Sequence, residues 1–260
     1  MKRSWTLDDA EFYILWNTHT DDILPRPFSY TSKATTYEEF DAEQIAARDR
    51  LQRRVDAGLH DAMAAIVQPD LYVVVTGWDE KSPLRHESEI RIMATRRGPG
   101  GYLISQAPGE SFWHGGGYRI TECDPLRLAD EAVAALPEMP AGKQGEVVLP
   151  ADETDELDYA FGSSGVRDSF EDTVQVRAKN FLDLKAEHAG RIRVVQGRSK
   201  FGPRGRIEHQ LRWRDVEDDG RYVITDEHPP VAMPVDARQL ISMINGRIAD
   251  VVRAIKDERA

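Results

Sequence analysis

Residues 206–216 read RIEHQLRWRDV and alternate between two kinds of side chain. One face of an extended chain would carry Ile207, His209, Leu211 and Trp213, and the other Glu208, Gln210, Arg212 and Arg214. A period of two residues indicates a half-buried antiparallel strand. Flanking strands are predicted over Arg191–Lys200 and Arg221–Thr225, because turn sequences separate them at Gly202-Pro203-Arg204-Gly205 and at Asp218-Asp219-Gly220.

The sequence DARQLISMINGRIADVVRAIKD, residues 236–257, follows these strands and predicts a long amphipathic helix. Asp236 is suited to the N-cap position. The apolar residues recur at intervals of three, four and one, which places them on one stripe: Leu240, Ile241, Ile244, Ile248, Val251, Val252 and Ile255. The C-terminal region therefore predicts an antiparallel sheet covered by a terminal helix.

The N-terminal region has a similar order of elements. A strand at Ser4–Leu7 and a helix capped by Asp8 come first. Thr36 would cap a helix running to about Ala57, with Gly58 just beyond its end and a shorter helix at His60–Val67. Strands are then predicted at Leu71–Trp78, Glu87–Arg97, Tyr102–Ala107 and Gly117–Glu122, and a helix opening at Asp124-Pro125 with Leu126 on its apolar face.

Each half thus has a helical segment, strands joined by a Gly-Pro-x-Gly hairpin, and a closing helix that follows an aspartate. The second half would contribute a helix over about Asp168–His188. We predict an α+β fold in which two α-β-β-β-α halves, residues 1–143 and 144–260, share one mainly antiparallel sheet with quasi-twofold symmetry. The acidic stretch Ala151–Asp158 and the following Gly162-Ser163-Ser164-Gly165 are predicted to form a solvated linker.

Composition excludes several classes of protein. The chain has 260 residues and a formal net charge of −11, which argues against general nucleic-acid binding and against docking on an anionic membrane. A single cysteine, Cys123, excludes a disulfide framework. We expect a cytoplasmic protein without membrane insertion, because the sequence has no signal-peptide pattern and no apolar run of ~20 residues.

The residues that carry chemistry form no catalytic pattern. The glycine-rich stretches 98–101 and 115–117 lack the strand-to-helix context of a phosphate loop. His86-Glu87 falls in a predicted strand instead of a zinc-binding helix. Cys123 next to Asp124 could sit at a helix N-terminus, but a half-buried structural thiol is the favoured interpretation. We therefore expect no enzyme activity, no metal and no cofactor.

The chain resembles the EspG family of type VII (ESX) secretion proteins of actinobacteria. The resemblance starts with Ser4-Trp5-Thr6-Leu7, Glu11-Phe12, Leu15-Trp16, Leu24-Pro25 and Phe28. It continues with Gly197, Gly205-Arg206, Trp213-Arg214-Asp215 and Asp219-Gly220-Arg221-Tyr222, whereas residues 144–187 match no family pattern. The resemblance implies a cytosolic chaperone that binds the helical tip of the PPE protein in a PE–PPE heterodimer, keeps the pair soluble and directs it to its secretion system.

The resemblance also implies where the partner binds, namely on the central sheet, the C-terminal helices and a loop between two early strands. The residues expected to contact the PPE tip are Glu80, Lys81, Leu84, Arg85, Arg212, Arg214, Gln239, Ser242 and Asn245. The free protein is expected to be a monomer or a weak homodimer. Two alternatives remain: an α+β enzyme with a site assembled from distant residues, and a nucleic-acid-binding module using Arg191–Arg214.

Overall fold

A computed structural model describes residues 2–82, 85–150 and 169–259. Its helices and strands follow one another in the order β1 (Ser4–Leu7), α1 (Asp9–Asn17), α2 (Tyr37–Gln52), α3 (Ala57–Val67), β2 (Leu71–Asp79), β3 (Ile90–Arg97), β4 (Gly100–Pro108), β5 (Gly115–Cys123), α4 (Leu128–Ala134), β6 (Val147–Val148), α5 (Ser169–Leu182), β7 (Ala186–Gln196), β8 (Glu208–Val216), β9 (Gly220–Ile224), β10 (Val231–Pro234) and α6 (Ala237–Arg259). The predicted residues Leu84, Ala151–Asp158 and Gly162–Gly165 lie outside the described ranges.

The ten strands of the described ranges join one antiparallel sheet in the order β1-β5-β4-β3-β2-β7-β8-β9-β10-β6. Strands β2 and β7 pair at its centre, from Leu71 opposite Gln196 to Asp79 opposite His188. Outward from this pair, β3, β4 and β5 on one side correspond to β8, β9 and β10 on the other. The predicted α+β fold, with strands of both halves in one quasi-twofold sheet, is confirmed.

The two faces of the sheet are covered differently. Helices α4 and α6 contact each other and pack on the face that carries Val73, Ile92 and Ile192, which we call the closed face. On the other side, the open face, α1 and α3 cover the N-terminal strands over Met93 and Ile104. Helix α5 covers the far C-terminal strands, with Phe181 against Tyr222, Ile224 and Val216.

The terminal helix packs as its sequence predicts. Asp236 caps it, since its Oδ1 accepts from the Gln239 backbone N–H at 2.8 Å while Gln239 Oε1 accepts from the Asp236 N–H at 2.8 Å. Leu240, Ile244 and Val251 are fully buried, and the remaining apolar residues of the stripe are partly buried on the closed face. The helix runs the whole length of the strands, because Glu258 reaches the far end of β7 at Gln196.

The predicted boundary between the second and third helices is wrong, because the second helix ends before Ala57 and the third begins at that residue. Thr36 and Glu39 form the expected capping box of α2, but α2 ends at Gln52. Asp56 Oδ1 accepts from the Leu59 N–H at 2.7 Å and caps α3, which is longer than the predicted His60–Val67. Gly58 therefore lies in the first turn of α3 and not beyond the end of α2. Asp56 is suited to the N-cap position, and this explains why a new helix begins at Ala57.

Other predicted boundaries also need correction. Residues His86–Ser88 form a 3₁₀ turn, so β3 begins at Ile90 instead of Glu87. Asp124 Oδ1 accepts from the Leu126 N–H at 2.9 Å in an Asx turn, which delays α4 to Leu128 and leaves Leu126 exposed. Helix α5 ends at Leu182 and not at His188, because β7 already begins at Ala186 instead of Arg191. Ile207 precedes β8, so it is not a buried member of that strand.

We predict that Ile244→Ala lowers the free energy of unfolding by about 2–5 kcal/mol, because it leaves a cavity between α6 and the sheet. The neighbouring change Asn245→Ala, at an exposed position on the same turn, should alter it by less than about 0.5 kcal/mol. Chemical denaturation followed by circular dichroism measures both. Equal stabilities of the two variants would contradict the assigned packing of α6.

Candidate functional site

An open groove of about 750 Å³ lies on the open face between the α1–α3 side and α5. Its floor is formed by face-sharing residues of the three central strands: Thr76, Trp78, Arg191, Arg193, Glu208 and Gln210. These are the positions that alternate with buried residues such as Ile192 and Leu211. Among the described residues no helix covers the middle of this face, which agrees with the polar character of the floor.

One wall of the groove is aromatic. It combines the segment Arg26–Ser29 with Phe112 and Trp113 of the β4–β5 loop. Phe112 is 47% exposed and Trp113 is 67% exposed, and their rings meet edge to face at 5.3 Å. Exposed aromatic residues beside charged ones are typical of protein-binding surfaces. This wall makes the groove the strongest candidate site in the described part of the chain.

Arg91 holds this wall in place from below. Its guanidinium donates to Ser29 Oγ at 2.6 Å, to Gln106 Oε1 at 3.2 Å and to the Phe112 carbonyl at 2.5 Å. It also forms an ion pair with Glu89 and lies 5.8 Å from the centre of the Phe112 ring. Burial raises the pKa of the Glu89 carboxyl, and the Arg91 charge opposes that shift. The buried Arg91 guanidinium thus connects three segments, namely the loop that contains Ser29, strand β4 at Gln106 and the β4–β5 loop at Phe112.

The three charged contact residues expected in the β2–β3 loop, Glu80, Lys81 and Arg85, are already paired within the chain. Glu80 Oε2 accepts from Arg214 Nη2 at 2.6 Å, and Lys81 Nζ lies 2.8 Å from Glu217. Arg85 faces Asp79 at 3.8 Å and Glu87 at 3.5 Å. The structure thus brings Glu80 and Arg214 together, and it fastens this loop to β8 and the β8–β9 turn.

The Arg214 side chain therefore stabilises the fold, and its guanidinium is already engaged instead of being open to a partner protein. It is 8% exposed and also donates to the carbonyls of Phe181 at 3.2 Å and Leu184 at 2.7 Å, which secures the end of α5. Arg212 shares the open face with it, as expected for residues two apart on a strand, and is half-buried. A charge reversal at Glu80 would unpair Arg214, so it would not leave the fold untouched.

The expected residues of α6 lie on the other side of the molecule. Ser242 and Asn245 are exposed on the outer surface of this helix, which covers the closed face. The Gln239 side chain is occupied by the capping box at Asp236. The structure does not bring these three residues together with Arg212, so the predicted set divides between two faces.

Sequence reasoning missed the aromatic wall. Within the stretch 109–117, GESFWHGGG, only the glycine-rich residues 115–117 are considered from the sequence. Its signal is the pair Phe112-Trp113, since two large aromatic residues in a polar loop have no strand or helix face to pack on. Arg191 and Arg193 of the floor were considered only for nucleic-acid binding.

A second cavity of about 620 Å³ lies beside α1 and α2 and is lined by charged residues. Arg50 Nη2 lies 2.6 Å from Asp8 Oδ2, and Arg54 Nη1 lies 3.1 Å from Glu11 Oε2. Glu11 is 1% exposed and completes the capping box of α1. These charges neutralise one another and fasten the two helices together, so this cavity is explained by the fold.

Within the described ranges, no three His, Cys, Asp or Glu side chains are grouped so that they could hold a metal ion. None of the helices in those ranges is both long and apolar enough to cross a lipid bilayer. Cys123 ends β5 and is buried, and burial raises the pKa of its thiol to about 12. The thiol is a packing residue, as the favoured interpretation has it, and not an activated nucleophile.

We predict that Cys123 in the native protein resists iodoacetamide at pH 8, because a thiol with a pKa near 12 holds almost no thiolate at that pH. In denaturant it should react fully. Intact-mass spectrometry distinguishes the two states. Rapid stoichiometric alkylation of the folded chain would show that Cys123 is accessible and ionised.

Comparison with known proteins agrees with this architecture. The family model described as "EspG family" matches residues 8–246. The chain belongs to the EspG family. Among solved structures, it is similar to EspG5 of Mycobacterium tuberculosis, a type VII secretion system chaperone solved in complex with a PE25–PPE41 dimer, with a TM-score of 0.57 and 14% identity over 98% of this chain and 96% of that one. No curated protein sequence matches the chain.

Proposed function

We propose that this EspG-family protein is a cytosolic chaperone of a type VII (ESX) secretion system that binds a PE–PPE heterodimer. Family membership over residues 8–246 supports it, and so does a fold shared with EspG5, whose complex contains a PE25–PPE41 dimer. The protein would act by binding, without catalysis. It would keep the pair soluble and direct it to its secretion system.

The open groove is the surface proposed for the helical tip of the PPE protein, and it carries the proposal. It is concave, it has an aromatic wall at Phe112 and Trp113, and its floor supplies Arg191, Arg193 and Gln210 for polar contacts. An apolar tip would bury against the aromatic wall while charged residues remain at the rim. The groove is held in shape before binding by Arg91, which limits the ordering cost of association.

The β2–β3 loop would shape one end of this groove. Trp78 of β2 and Glu89, which directly precedes β3, line the groove at the two ends of this connection. The ion pairs from Glu80 to Arg214 and from Lys81 to Glu217 would set its position. Ser242 and Asn245 of α6 form the competing surface on the other face, and they present a convex helix instead of a groove.

We predict that the double variant Trp113→Ala with Arg191→Glu loses at least ~10-fold in affinity for its PE–PPE pair. Both side chains are exposed, and no described acidic residue forms an ion pair with Arg191, so the midpoint of unfolding should stay unchanged. Co-purification from cells that express candidate PE–PPE pairs identifies the partner, and calorimetry then gives the affinity.

The matched control is Tyr37→Ala with Arg48→Glu, the same two kinds of change at exposed positions of α2 outside the groove. It should bind as the unchanged protein does. A third variant, Ser242→Arg with Asn245→Arg, tests the surface of α6. Loss of binding in this third variant alone would move the site to the closed-face helix, and failure of every PE–PPE pair to co-purify would refute the function itself.

A further inference from the structure

The hairpin between β7 and β8 differs from the rest of this acidic protein. We call residues 198–207, RSKFGPRGRI, the basic hairpin, because they include four basic residues and no acidic one. Arg198, Lys200, Arg204 and Arg206 are all exposed. The net charge of the chain is −11, so the residues outside the basic hairpin sum to −15.

The acidic residues around the basic hairpin are already engaged. Glu208 pairs with Arg193 at 3.2 Å, and Asp70 pairs with Arg259 at 3.3 Å. The Glu258 carboxylate accepts from Ser199 Oγ. Among the described residues, no carboxylate forms an ion pair with any of the four basic side chains of the hairpin. The hydrogen bond from Gln196 and the attraction to Lys200 both lower the pKa of the Glu258 carboxyl. The other three basic side chains leave the hairpin with a surplus of positive charge.

Two further arginines, Arg96 and Arg97, extend the positive region at the same end of the central strands. Arg96 lies opposite Leu71 in the β2–β3 pair, and Leu71 lies opposite Gln196 in the β2–β7 pair. Arg97 follows Arg96 and is exposed. These residues end their strands beside the start of the basic hairpin.

The basic hairpin is held in a defined shape. Glu258 of α6 accepts from Gln196 Nε2 at 3.0 Å, from Ser199 Oγ at 2.9 Å and from the Lys200 N–H at 2.9 Å. Gly202 adopts a positive φ of 79°, which a glycine tolerates without strain. A surface that is ordered in advance loses little freedom when it binds.

An aromatic residue stands at the apex of the basic hairpin. Phe201 is 70% exposed, and Lys200 Nζ lies 5.4 Å from the centre of its ring. Gly205 makes room for it, since a Cβ there would approach the Phe201 Cβ to 2.5 Å. An exposed aromatic ring surrounded by basic side chains combines the two features that hold peripheral proteins at a lipid interface.

We propose that the basic hairpin docks this protein on an anionic membrane surface, with Phe201 entering the headgroup region and the four basic side chains contacting lipid phosphates. The net charge of the whole chain argued against such docking, but electrostatic attraction depends on the charges close to the surface. The other end of β2, at Asp79, lies about 26 Å from Leu71 at ~3.3 Å per strand residue, so charges beyond it act on the basic hairpin only weakly. That distance is several Debye lengths at ~8 Å each.

The same geometry favours a membrane over other polyanions. A nucleic acid engages an extended positive track, whereas the basic hairpin is a compact cluster at one end of the strands, and the negative net charge of the remainder of the chain would repel a long polyanion. An acidic protein segment would fit a groove, whereas the basic hairpin is an exposed turn. When the basic hairpin docks on the membrane, Trp78, Phe112 and Trp113 lie at the opposite end of the strands and remain free to hold a partner.

Co-sedimentation with lipid vesicles tests the proposal. The protein should bind vesicles containing phosphatidylglycerol, bind pure phosphatidylcholine vesicles little, and dissociate as salt is raised. Lys200→Glu with Arg204→Glu should weaken binding by roughly a hundredfold, and Phe201→Ser should weaken it at high salt as well. The matched control, Arg48→Glu with Arg238→Glu, reverses two exposed charges elsewhere and should bind normally. All variants should keep the same unfolding midpoint.

The orientation can be measured independently. Because Cys123 is buried, a cysteine introduced at the exposed Pro203 can be labelled alone with an environment-sensitive dye. Its emission should shift to the blue with anionic vesicles, and a dye on Asn245→Cys should not change. Equal binding of the Lys200→Glu, Arg204→Glu variant would overturn the proposal, as would binding to polyglutamate or an oligonucleotide without binding to vesicles. Capture of a PE–PPE pair should survive these changes, so this proposal and the proposed function fail separately.

Discussion

The pairing of β2 with β7 is the interaction on which the rest of the structure depends, because it joins two halves into one sheet. Two residues before the Asp79 end of this pair, Gly77 lies opposite Gly190, and the Trp213 indole of β8 packs over both. A Cβ at Gly190 would come within 2.0 Å of the Thr76 carbonyl oxygen and 2.6 Å of Trp213 Nε1. Even alanine at this position would therefore force the strands or the indole to move, at a cost of about 1–3 kcal/mol or more.

A buried ion pair between Arg221 and Asp215 lies next to the Trp213 ring. The Arg221 guanidinium lies 5.2 Å from its ring and donates to Asp215 at 2.6 and 2.8 Å, and to the Pro137 carbonyl at 2.9 Å. The segment after α4 is thereby fastened to β9. Buried pairs of this kind add little net stability, but loss of one partner costs about 3–5 kcal/mol because the other charge is left unpaired.

Sequence patterns predicted the features that depend on neighbouring residues. The stripe of α6, the caps at Asp8, Thr36 and Asp236, and the hairpins at Gly98 and Asp218 follow from local geometry, and the repeat of elements led to the shared sheet. Sequence patterns missed the short strands β6 and β10, because segments of two and four residues are too short to show a two-residue alternation of polar and apolar side chains. The groove was missed because its floor and its aromatic wall come from segments far apart in the sequence.

The contact residues inferred from the family resemblance illustrate the same limit. A sequence identifies Glu80 and Arg214 as charged, but only the fold shows that they bind each other.

The central claim, that the partner occupies the open groove, is tested most directly by hydroxyl-radical footprinting of the protein with and without its PE–PPE pair. The account predicts that Phe112 and Trp113 become protected while Tyr37 and Phe201 keep their reactivity. Unchanged oxidation of Phe112 and Trp113 in the complex would contradict it.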